Sequence, residues 1–343
     1  MNKLLIIAEM AWAHDGSLEK AIKIMREAKK SGAHAIGIHV TDLKSYMVEN
    51  YGMKKGVLSS GDRGDSVYDY LNKINLTENE WMKFSKEAKK ENIKLCVMPN
   101  DINSLKFCED KIHPAFYVLS AASFVEKQMI KNMSKTKSNI ILRIGGASLG
   151  EIEECLSLLS KTHSKKISLL HGFQNYPTKL EECNINQLKT LSDLFSVPVG
   201  LADHLDGGEE FAISMPLLAI ALGSRIIEKH ITLDRREKGE DFEAALNPKD
   251  FKKFVEFLNM GLTALGNPSW NIMTNAELSY RNISRKKTVA KRSLKKGHVL
   301  QEKDLDFKRS NDGICPSKSS TLIGRVLTKD INIDQGIDLN ELK

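Results

Sequence analysis

Two histidines, each close to the end of an apolar segment, are the residues of this chain best suited to chemistry. His204 stands in GLADHLDG and His230 in IIEKHITLD. If the two segments are neighbouring strands, their imidazoles can share a borderline divalent cation such as Mn²⁺, Zn²⁺ or Fe²⁺. Two ligands leave positions open for water or substrate, as in a catalytic metal site, and Asp203 or Glu228 could orient the imidazoles. Buried histidines with a purely structural role are the alternative interpretation.

Further polar residues end or follow the other apolar segments and could face the same site. Arg143 could bind a phosphate or a carboxylate through its planar guanidinium. Alternatively, it fills the interior and pairs with an acid such as Asp101. In both cases an anion must lie beside it, because an unpaired buried charge is costly. The remaining candidates are Glu9, His14, His39, Asn100, Gln174 and Tyr176.

The segments that must position these residues alternate between short apolar stretches, typical of strands buried on both faces, and amphipathic helix-like stretches. One predicted helix is SLEKAIKIMREAKKSG, with Ser17 as its N-cap and Gly32 just beyond its end. Eight such alternations predict a (β/α)₈ barrel, whose reactive groups lie at the C-terminal ends of the strands. A doubly wound sheet is the alternative, although no GxGxxG follows the first strand. The predicted strands are Leu4–Ala8, Ala35–Val40, Lys94–Met98, Phe116–Leu119, Ile140–Arg143, Ile167–Leu170, Pro198–Leu201 and Ser224–Glu228.

The alternation stops near Gly266, and the sequence predicts two domains joined by a linker. Residues 1–266 form the barrel, residues 267–283 form a linker that contains Pro268, and residues 284–343 form a compact β-rich domain. Turns at KKG, NDG and DQG separate the short strands of this second domain.

A long polar stretch, residues 41–76, follows the second predicted strand and contains Gly52, Gly56, Gly61 and Gly64. Long loops at this end of a barrel usually cover the active site, and we interpret the stretch in this way. An insertion without a role in the site is the alternative.

The composition indicates a globular protein without a nucleic-acid surface or a membrane anchor. The 343 residues are 41% hydrophobic and 28% charged, with a formal net charge of +7 at pH 7. The lysines and arginines are spread along the chain without a basic arm, so the excess charge is interpreted as a solvated surface that steers anionic substrates. Five cysteines without a CxxC pair, no signal-peptide pattern and no long apolar stretch predict a cytoplasmic protein.

Six segments contain motifs more specific than a strand–helix pattern requires. They read LLIIAEMAWAHDGSLEKA, LLHGFQNYP, VPVGLADHLDG, ALGSRIIEKHITLDR, KGEDFEAALNP and RSLKKGHVLQEKDLDFKRSNDGICP. In order and spacing they resemble the motifs of the sialic acid (nonulosonate) synthase family, and the last resembles that family's antifreeze-like (SAF) domain. The resemblance covers nearly the whole chain. It implies a (β/α)₈ TIM barrel followed by a small β-rich SAF domain of the β-clip type.

The resemblance also implies a carbon–carbon bond-forming transferase of sugar-acid biosynthesis, in pathways to cell-surface polysaccharides. The family condenses phosphoenolpyruvate with an N-acyl amino-hexose in a metal-assisted aldol-type step. Matched to the family motifs, His204 and His230 hold the divalent metal, commonly Mn²⁺, with Zn²⁺, Fe²⁺, Co²⁺ and Mg²⁺ as alternatives. The metal polarises the aldehyde of the acceptor. Glu9 matches the glutamate of the family's first strand, and Glu228, proposed above to orient the imidazoles, completes the predicted catalytic set.

On the acceptor side, the family's sugar-binding residues are present. Tyr176 and Asp241 match the tyrosine and aspartate that grip the acceptor sugar. Arg309 matches an arginine that reaches the sugar from the antifreeze-like domain of the partner subunit. The resemblance therefore implies a domain-swapped homodimer, with each SAF domain over the partner's barrel.

The departures from the family concentrate where it holds the phosphate and carboxylate of phosphoenolpyruvate. A lysine of the second strand is replaced by Gly37, and the YKIxSGE motif of the fourth strand reads YVLSAAS here, without its lysine. Arg143 and His39 could instead hold a monoanion or a smaller acid, with Asn100 and Gln174 as further contacts.

Three functions remain open from the sequence. The first is a nonulosonate synthase of an unusual branch, and the second is a related carbon–carbon bond enzyme whose donor is not phosphoenolpyruvate. The third is a non-catalytic paralogue that binds a sugar or regulates a true synthase. A fold does not decide between them, so the site must.

Overall fold

The structure of the protein, a computed structural model, describes residues 4–51, 66–160, 166–266 and 273–343. The four glycines of the predicted cover loop (Gly52, Gly56, Gly61 and Gly64) and Pro268 of the predicted linker lie outside these ranges. The chain divides into two compact units, Met1–Gly266 and Asn267–Lys343, which are described separately. No helix in these ranges is both long and apolar enough to cross a membrane.

The first unit is a closed barrel of eight parallel strands, in which each strand pairs with the next and the last pairs with the first. The predicted barrel is therefore confirmed, and the doubly wound alternative is wrong because that sheet would have two free edges. The last two strands extend two residues beyond their predicted ends, as far as Asp203 and His230. The strands are β1 (Leu5–Glu9), β2 (Ala35–Val40), β3 (Lys94–Pro99), β4 (Phe116–Ser120), β5 (Asn139–Arg143), β6 (Ile167–His171), β7 (Val199–Asp203) and β8 (Ile226–His230).

Helices connect the strands, and their sequences contain the expected start signals. In α1 the hydroxyl of Ser17 accepts a hydrogen bond from the backbone N–H of Lys20, as predicted for the N-cap. Thr77 and Glu80 form a reciprocal capping box at the start of α4. The helices of this unit are α1 (Leu18–Lys30), α2 (Leu43–Tyr46), α3 (Val67–Ile74), α4 (Glu78–Lys90), α5 (Ile102–Phe107), α6 (Lys127–Met133), α7 (Leu149–Ser160), α8 (Gln187–Phe195), α9 (Pro216–Ala221) and α10 (Pro248–Leu265).

The interior of the barrel is apolar in its middle and polar at the C-terminal ends of the strands. Successive residues of a strand point to opposite faces, so every second residue points inward. An apolar layer inside the barrel consists of Ile7, Ala35, Cys96, Met98, Val118, Ile141, Leu170 and Ala202. Two residues beyond Ile7, Ile141 and Ala202, towards the C-terminal ends, stand Glu9, Arg143 and His204. We call this polar end the barrel mouth. The apolar layer packs directly beneath its polar residues and separates them from the N-terminal end of the barrel.

The second unit contains helix α11 (Asn275–Ser284) and an antiparallel pair, β9 (Lys286–Ala290) and β10 (Leu305–Arg309). Its core consists of aliphatic side chains that single β-bridges bring together, for example between Leu294 and Ile331. Two of the predicted turns place a glycine in the left-handed region, with φ of +86° at Gly297 and +101° at Gly313. The unit is thus small and β-rich, as predicted.

The core of this unit also contains one fully buried carboxylate, Asp304. It accepts hydrogen bonds from Nε of Arg292 at 3.0 Å and from the backbone N–H of Gln301 at 3.1 Å, and His298 Nε2 lies 2.7 Å away. Burial by itself would raise the pKa of Asp304, but the hydrogen bonds with His298 and Arg292 lower it to about 2. The charged carboxylate therefore connects three separate segments of the unit.

We expect Asp304→Asn to destabilise the second unit by about 1–3 kcal/mol, because the neutral amide leaves the Arg292 cation without its charged partner. Since the folded pKa lies below the ordinary value, the contribution is complete above pH ~4 and disappears as the pH falls towards 2. Hydrogen exchange of peptides from this unit, in the full chain at pH 7, measures the loss. Asp306→Asn, which changes a half-exposed carboxylate, is the control, and equal protection in both variants would contradict the prediction.

Candidate active site

The two predicted metal-binding histidines meet at the barrel mouth. His230 ends β8 and His204 directly follows β7, and both are almost fully buried. Their ring centroids lie 5.3 Å apart. Neither ring nitrogen of His204 makes a well-aligned hydrogen bond to the residues that the structure describes, although the nearby backbone of Phe173 opposes the fall of the pKa of His204, and Nε2 of His230 likewise has no partner among these residues. Such orphaned nitrogens are unusual for structural histidines, which normally bond to a carbonyl or a carboxylate.

The protonation state of this pair suits a metal. Burial, followed by the positive charge of Arg143, lowers the pKa of His204 to about 3. Burial and the neighbouring His204 lower the pKa of His230 well below its usual value. Both imidazoles are therefore neutral at pH 7, which is the form that binds cations.

The spacing of the rings also fits one ion. Imidazole nitrogens bind divalent metals at about 2.0–2.2 Å, which puts each ring centroid about 3.3 Å from the ion and is compatible with the observed separation. Within the described ranges, no group of three or more His, Cys, Asp or Glu residues is arranged to hold a metal. The histidine pair could thus provide two ligands, and water or substrate would supply the others.

Two predicted acceptor-side residues lie beside the histidines. The ring of Tyr176 packs edge-on against both imidazoles, with centroid distances of 4.9 Å to His204 and 5.4 Å to His230. Oδ2 of Asp241 lies 3.9 Å from Nδ1 of His230. Burial, and then the nearby Glu240, raise the pKa of Asp241 well above its usual value. The structure therefore gathers four predicted site residues, from the ends of β7 and β8 and from two loops.

A second group of buried polar residues adjoins the histidine pair at the mouth, since Glu9 lies beside His230 in the sheet, and we call Glu9, His39, Arg143 and Glu228 the Arg143 cluster. Nη2 of Arg143 donates to Oε2 of Glu9 at 2.7 Å and to Oε1 of Glu228 at 2.5 Å. Nε2 of His39 lies 3.9 Å from Oε1 of Glu9. The anion expected beside a buried Arg143 is therefore a pair of protein carboxylates.

The suggested pairing of Arg143 with Asp101 is wrong. Asp101 is the N-cap of α5, where its carboxylate accepts hydrogen bonds from the backbone N–H of Ser104 and of Asp42, at 2.8 and 2.9 Å. Its carboxylate is engaged in capping and in fixing the loop after β2, so it does not reach the interior.

Burial and the neighbouring charges shift the pKa values of the groups in the Arg143 cluster. Burial raises the pKa of Glu9 to about 7, and Glu228 adds to the rise while Arg143 opposes it. Burial alone would lower the pKa of Arg143, but Glu228 and Glu9 raise it, so the guanidinium stays charged. Burial and the positive charge of Arg143 lower the pKa of His39 well below its usual value. The cluster therefore combines one cation, two carboxyl groups, of which Glu9 is partly protonated at pH 7, and a neutral imidazole.

Gly37, which stands where the family has a lysine, makes room for this cluster. A Cβ atom at position 37 would collide with the carboxylate of Glu9. That carboxylate is fixed on its other side by the backbone N–H of Ala11, 2.8 Å from Oε1. This steric role of Gly37 was not predicted from the sequence, where only the absence of the lysine was evident. A glycine inside the apolar strand AIGIHV was the signal, because such glycines often mark a close approach by another group.

The other predicted site residues lie elsewhere. Nδ1 of His14 accepts from the backbone N–H of Gly16 at 3.2 Å, and its ring packs edge-on against Trp81. Asn100 donates to the hydroxyl of Thr41 at 2.7 Å. Gln174 is exposed in the loop after β6, and Arg309 is exposed on β10 of the second unit. The structure of the barrel itself thus gives none of these residues a contact with the histidine pair.

A buried ion pair missed by the sequence analysis connects the two strands that position the histidines. Nζ of Lys229 lies 2.9 Å from Oδ2 of Asp203, and both side chains are fully buried. Lys229 also donates to the carbonyl of Leu205 at 2.8 Å, and Oδ1 of Asp203 accepts from the backbone N–H of Leu205 at 3.0 Å. Because Lys229 alternates with Glu228 and His230, it points away from the interior. A lysine in a strand that is buried on both faces signals such a pairing.

We expect Asp203→Asn to weaken Mn²⁺ binding by roughly tenfold, because loosening the partners that position metal ligands typically costs 10–100-fold in affinity. The amide still accepts a hydrogen bond, so the loss of stability should stay near 1–3 kcal/mol. Titration calorimetry with Mn²⁺ and urea unfolding measure the two effects. Asp206→Asn, which removes a half-exposed partner of Arg235, is the control, and equal Mn²⁺ affinity in both variants would refute the positioning role.

Comparison with known proteins agrees with this architecture and confirms the resemblance seen in the sequence. The NeuB family model matches residues 24–269, and the SAF domain model matches residues 288–343. The N,N'-diacetyllegionaminic acid synthase of Campylobacter jejuni is 31% identical over 337 residues, which cover 98% of this chain and 99% of that protein. A pseudaminic acid synthase of the same species is 28% identical over 344 residues, with coverage of 100% and 97%.

Among solved structures, the N-acetylneuraminic acid (sialic acid) synthetase of Leptospira borgpetersenii, determined in complex with citrate, is 27% identical to this chain. The two superpose with a TM-score of 0.68, over 82% of this chain and 92% of that one. Since the family model covers most of the barrel and the relatives align from end to end, this chain belongs to the NeuB family.

Proposed function

We propose that the protein is a synthase of sugar-acid (nonulosonate) biosynthesis that joins a three-carbon donor to the aldehyde carbon of an N-acyl amino-hexose. The observation that carries the proposal is the neutral histidine pair beside Tyr176 and Asp241, in which three ring nitrogens have no hydrogen-bond partner among the residues that the structure describes. A sugar-binding protein without catalysis would not need two buried imidazoles with such free nitrogens. The relatives named above as synthases support the same reaction type.

We propose that His204 and His230 hold a divalent ion, with Mn²⁺ as the first candidate and Zn²⁺, Fe²⁺, Co²⁺ or Mg²⁺ as alternatives. Neutral imidazoles suit borderline transition metals better than Mg²⁺, which prefers oxygen ligands. When bound, the ion would supply Lewis-acid polarisation of the acceptor's aldehyde oxygen.

The chain's own residues would bind and orient the substrates. Tyr176 presents its ring edge to the histidines, so its hydroxyl and the carboxyl of Asp241 can fix acceptor hydroxyl groups near the pair. The raised pKa of Asp241 allows its protonated form to donate a hydrogen bond as well as accept one. Glu9 and Glu228, which are fixed by Arg143, would line the space around the reacting carbons and exclude water from the interior.

We further propose a homodimer in which Arg309 of one subunit reaches the acceptor sugar in the barrel of the other. Arg309 is exposed and has a planar donor group suited to sugar hydroxyls or carboxylates. Light scattering of the purified chain should give twice the mass of 38.5 kDa. Mixing an Arg309→Ala subunit with a His204→Asn subunit should restore part of the activity that each variant alone lacks, and no restoration would count against the swap.

Product formation with a panel of substrates tests the function itself. The full chain is incubated with Mn²⁺, with phosphoenolpyruvate or pyruvate as donor, and with N-acetylated mono- and diamino-hexoses. Mass spectrometry for a product three carbons longer than the acceptor detects synthesis regardless of the donor. Absence of product from every combination, by a protein shown to bind the metal, would reject the proposed function.

A further inference from the structure

We propose that the donor subsite of this enzyme recognises a three-carbon carboxylate without a phosphate group, a 2-oxo acid, through the unoccupied N–H groups of Arg143. The inference rests on the proposed function for the identity of the second substrate. It concerns only the donor, and it can fail while the proposed function stands.

The first support is the number of donors that Arg143 leaves free. A guanidinium carries five N–H groups, and the two on Nη2 are directed at Glu9 and Glu228. Nε and Nη1, with three N–H groups between them, are buried and have no partner among the described residues. Buried donors are rarely left without an acceptor, so these atoms mark a position for a ligand oxygen.

The second support is the small amount of positive charge at this end of the barrel. Arg143 and Lys229 are the only buried lysine or arginine side chains in the ranges that the structure describes. Lys229 points outward and is paired with Asp203. His14 and His39 are buried beside Glu9 and Trp12 and are neutral.

A single cation that already contacts two carboxylates can accept one more carboxylate at its free N–H groups. A phosphoenolpyruvate molecule has almost three negative charges, and any part of it bound at Arg143 would also meet Glu9 and Glu228, with this one guanidinium and the proposed divalent ion as the nearby positive charges. Like charges at short range inside a protein repel strongly, because the surroundings screen them poorly. The subsite therefore fits a monoanion.

The third support is steric. The carboxylate of Glu9 occupies the space beside Gly37, where any side chain would collide with it. A lysine at position 37 would therefore require the carboxylate of Glu9 to move from its present position beside Arg143. The positive charge of the subsite is that of Arg143, at the end of β5, and this residue also contacts Glu9 and Glu228.

A 2-oxo acid also balances the reaction without another reactant. The donor loses a proton from its methyl carbon, that carbon forms the bond to the aldehyde carbon, and the aldehyde oxygen gains a proton. No phosphate leaves, so the same site would cleave the product in the reverse direction. The predicted stoichiometry is one sugar acid formed and no phosphate released.

Ligand binding in the absence of an acceptor tests the inference. The full chain with Mn²⁺ is titrated with pyruvate, phosphoenolpyruvate and inorganic phosphate, and dissociation constants are determined by calorimetry. We expect pyruvate to bind at least tenfold more tightly than phosphoenolpyruvate, and phosphate not to bind measurably. Equal or tighter binding of phosphoenolpyruvate overturns the inference, as does failure of pyruvate to bind.

An Arg143→Lys variant shows whether Arg143 is the group involved. Lysine keeps the charge between Glu9 and Glu228 but has three N–H groups on one nitrogen, two of which those carboxylates take. We expect at least a tenfold loss of pyruvate affinity with an unchanged circular dichroism spectrum. Arg225→Lys, which alters a half-buried arginine at the start of β8, should stay within twofold of the unmodified chain. Unchanged pyruvate affinity in Arg143→Lys overturns the inference, and the comparison of ligands on the unmodified chain stands even if this variant misfolds.

Discussion

We expect Arg143→Met to destabilise the barrel by about 3–5 kcal/mol, which is the range for removing one partner from a buried ion pair. Glu9 and Glu228 then share one end of the barrel interior without a cation. Each is almost completely buried, so water cannot replace the guanidinium. Glu9 should take up a proton more readily in the variant, because burial already raises its pKa and the opposing charge of Arg143 is gone. Urea unfolding at pH 7, followed by tryptophan fluorescence, measures the change.

A combined variant separates the lost charge from the lost volume. Adding Glu9→Gln and Glu228→Gln to Arg143→Met removes all three charges and should recover at least half of the lost stability, since neutral groups of similar shape replace a buried ion cluster at little cost. Arg225→Met, outside the interior, is the matched single control and should cost about 1 kcal/mol. A stable Arg143→Met variant would show that the guanidinium does not hold the two carboxylates as described.

The second large effect is expected at the histidine pair, where His204→Asn or His230→Asn should lower the rate of product formation roughly 10³-fold or more. Lewis-acid polarisation is worth several kcal/mol of the barrier, and each ~1.4 kcal/mol is a factor of ten in rate. Either variant leaves a single imidazole, which is too few protein ligands for firm binding. Mn²⁺ affinity should fall at least 100-fold in both variants. It can be measured from the electron paramagnetic resonance signal of the free ion.

A large loss of Mn²⁺ affinity with little loss of folding stability would identify the histidine pair as a metal site. Because the orphaned ring nitrogens make no hydrogen bonds within the described structure, their removal should change the free energy of unfolding of the metal-free protein by only about 1 kcal/mol. His171→Asn is the matched control, since His171 ends β6 and its Nε2 lies 3.1 Å from the carbonyl of Cys183. It should leave Mn²⁺ affinity unchanged. Full Mn²⁺ affinity in His204→Asn would eliminate the proposed metal site.

The two parts of the mouth differ in how closely they follow the family. The histidine pair with Tyr176 and Asp241 retains the motif residues and the arrangement that the motifs imply. At the adjoining Arg143 cluster, Gly37 and Arg143 stand where the resemblance implies residues that hold phosphoenolpyruvate. The comparison of pyruvate with phosphoenolpyruvate binding is therefore the experiment that identifies the donor.

Much of the fold and half of the site follow from local patterns in the sequence. Short apolar stretches that alternate with capped amphipathic helices are sufficient to predict a closed parallel barrel. The two-residue period of a strand then determines which side chains point inward, and so places Glu9, His39 and Glu228 at one end. His204 and His230 could be paired in advance because β7 and β8 are consecutive strands and therefore neighbours.

Local sequence patterns could not predict the contacts between side chains on opposite strands of the barrel. Arg143 is separated along the chain from Glu9 by 134 residues and from Glu228 by 85 residues, and it belongs to a strand that pairs with neither β1 nor β8. Which inward-pointing residues meet depends on how strands of a given tilt and stagger bring their ends together on closure, and no local period encodes this. The sequence alone thus determined the barrel, its polar end and the histidine pair. Only the tertiary structure decided that Arg143 binds two carboxylates and that Gly37 leaves the space in which it does so.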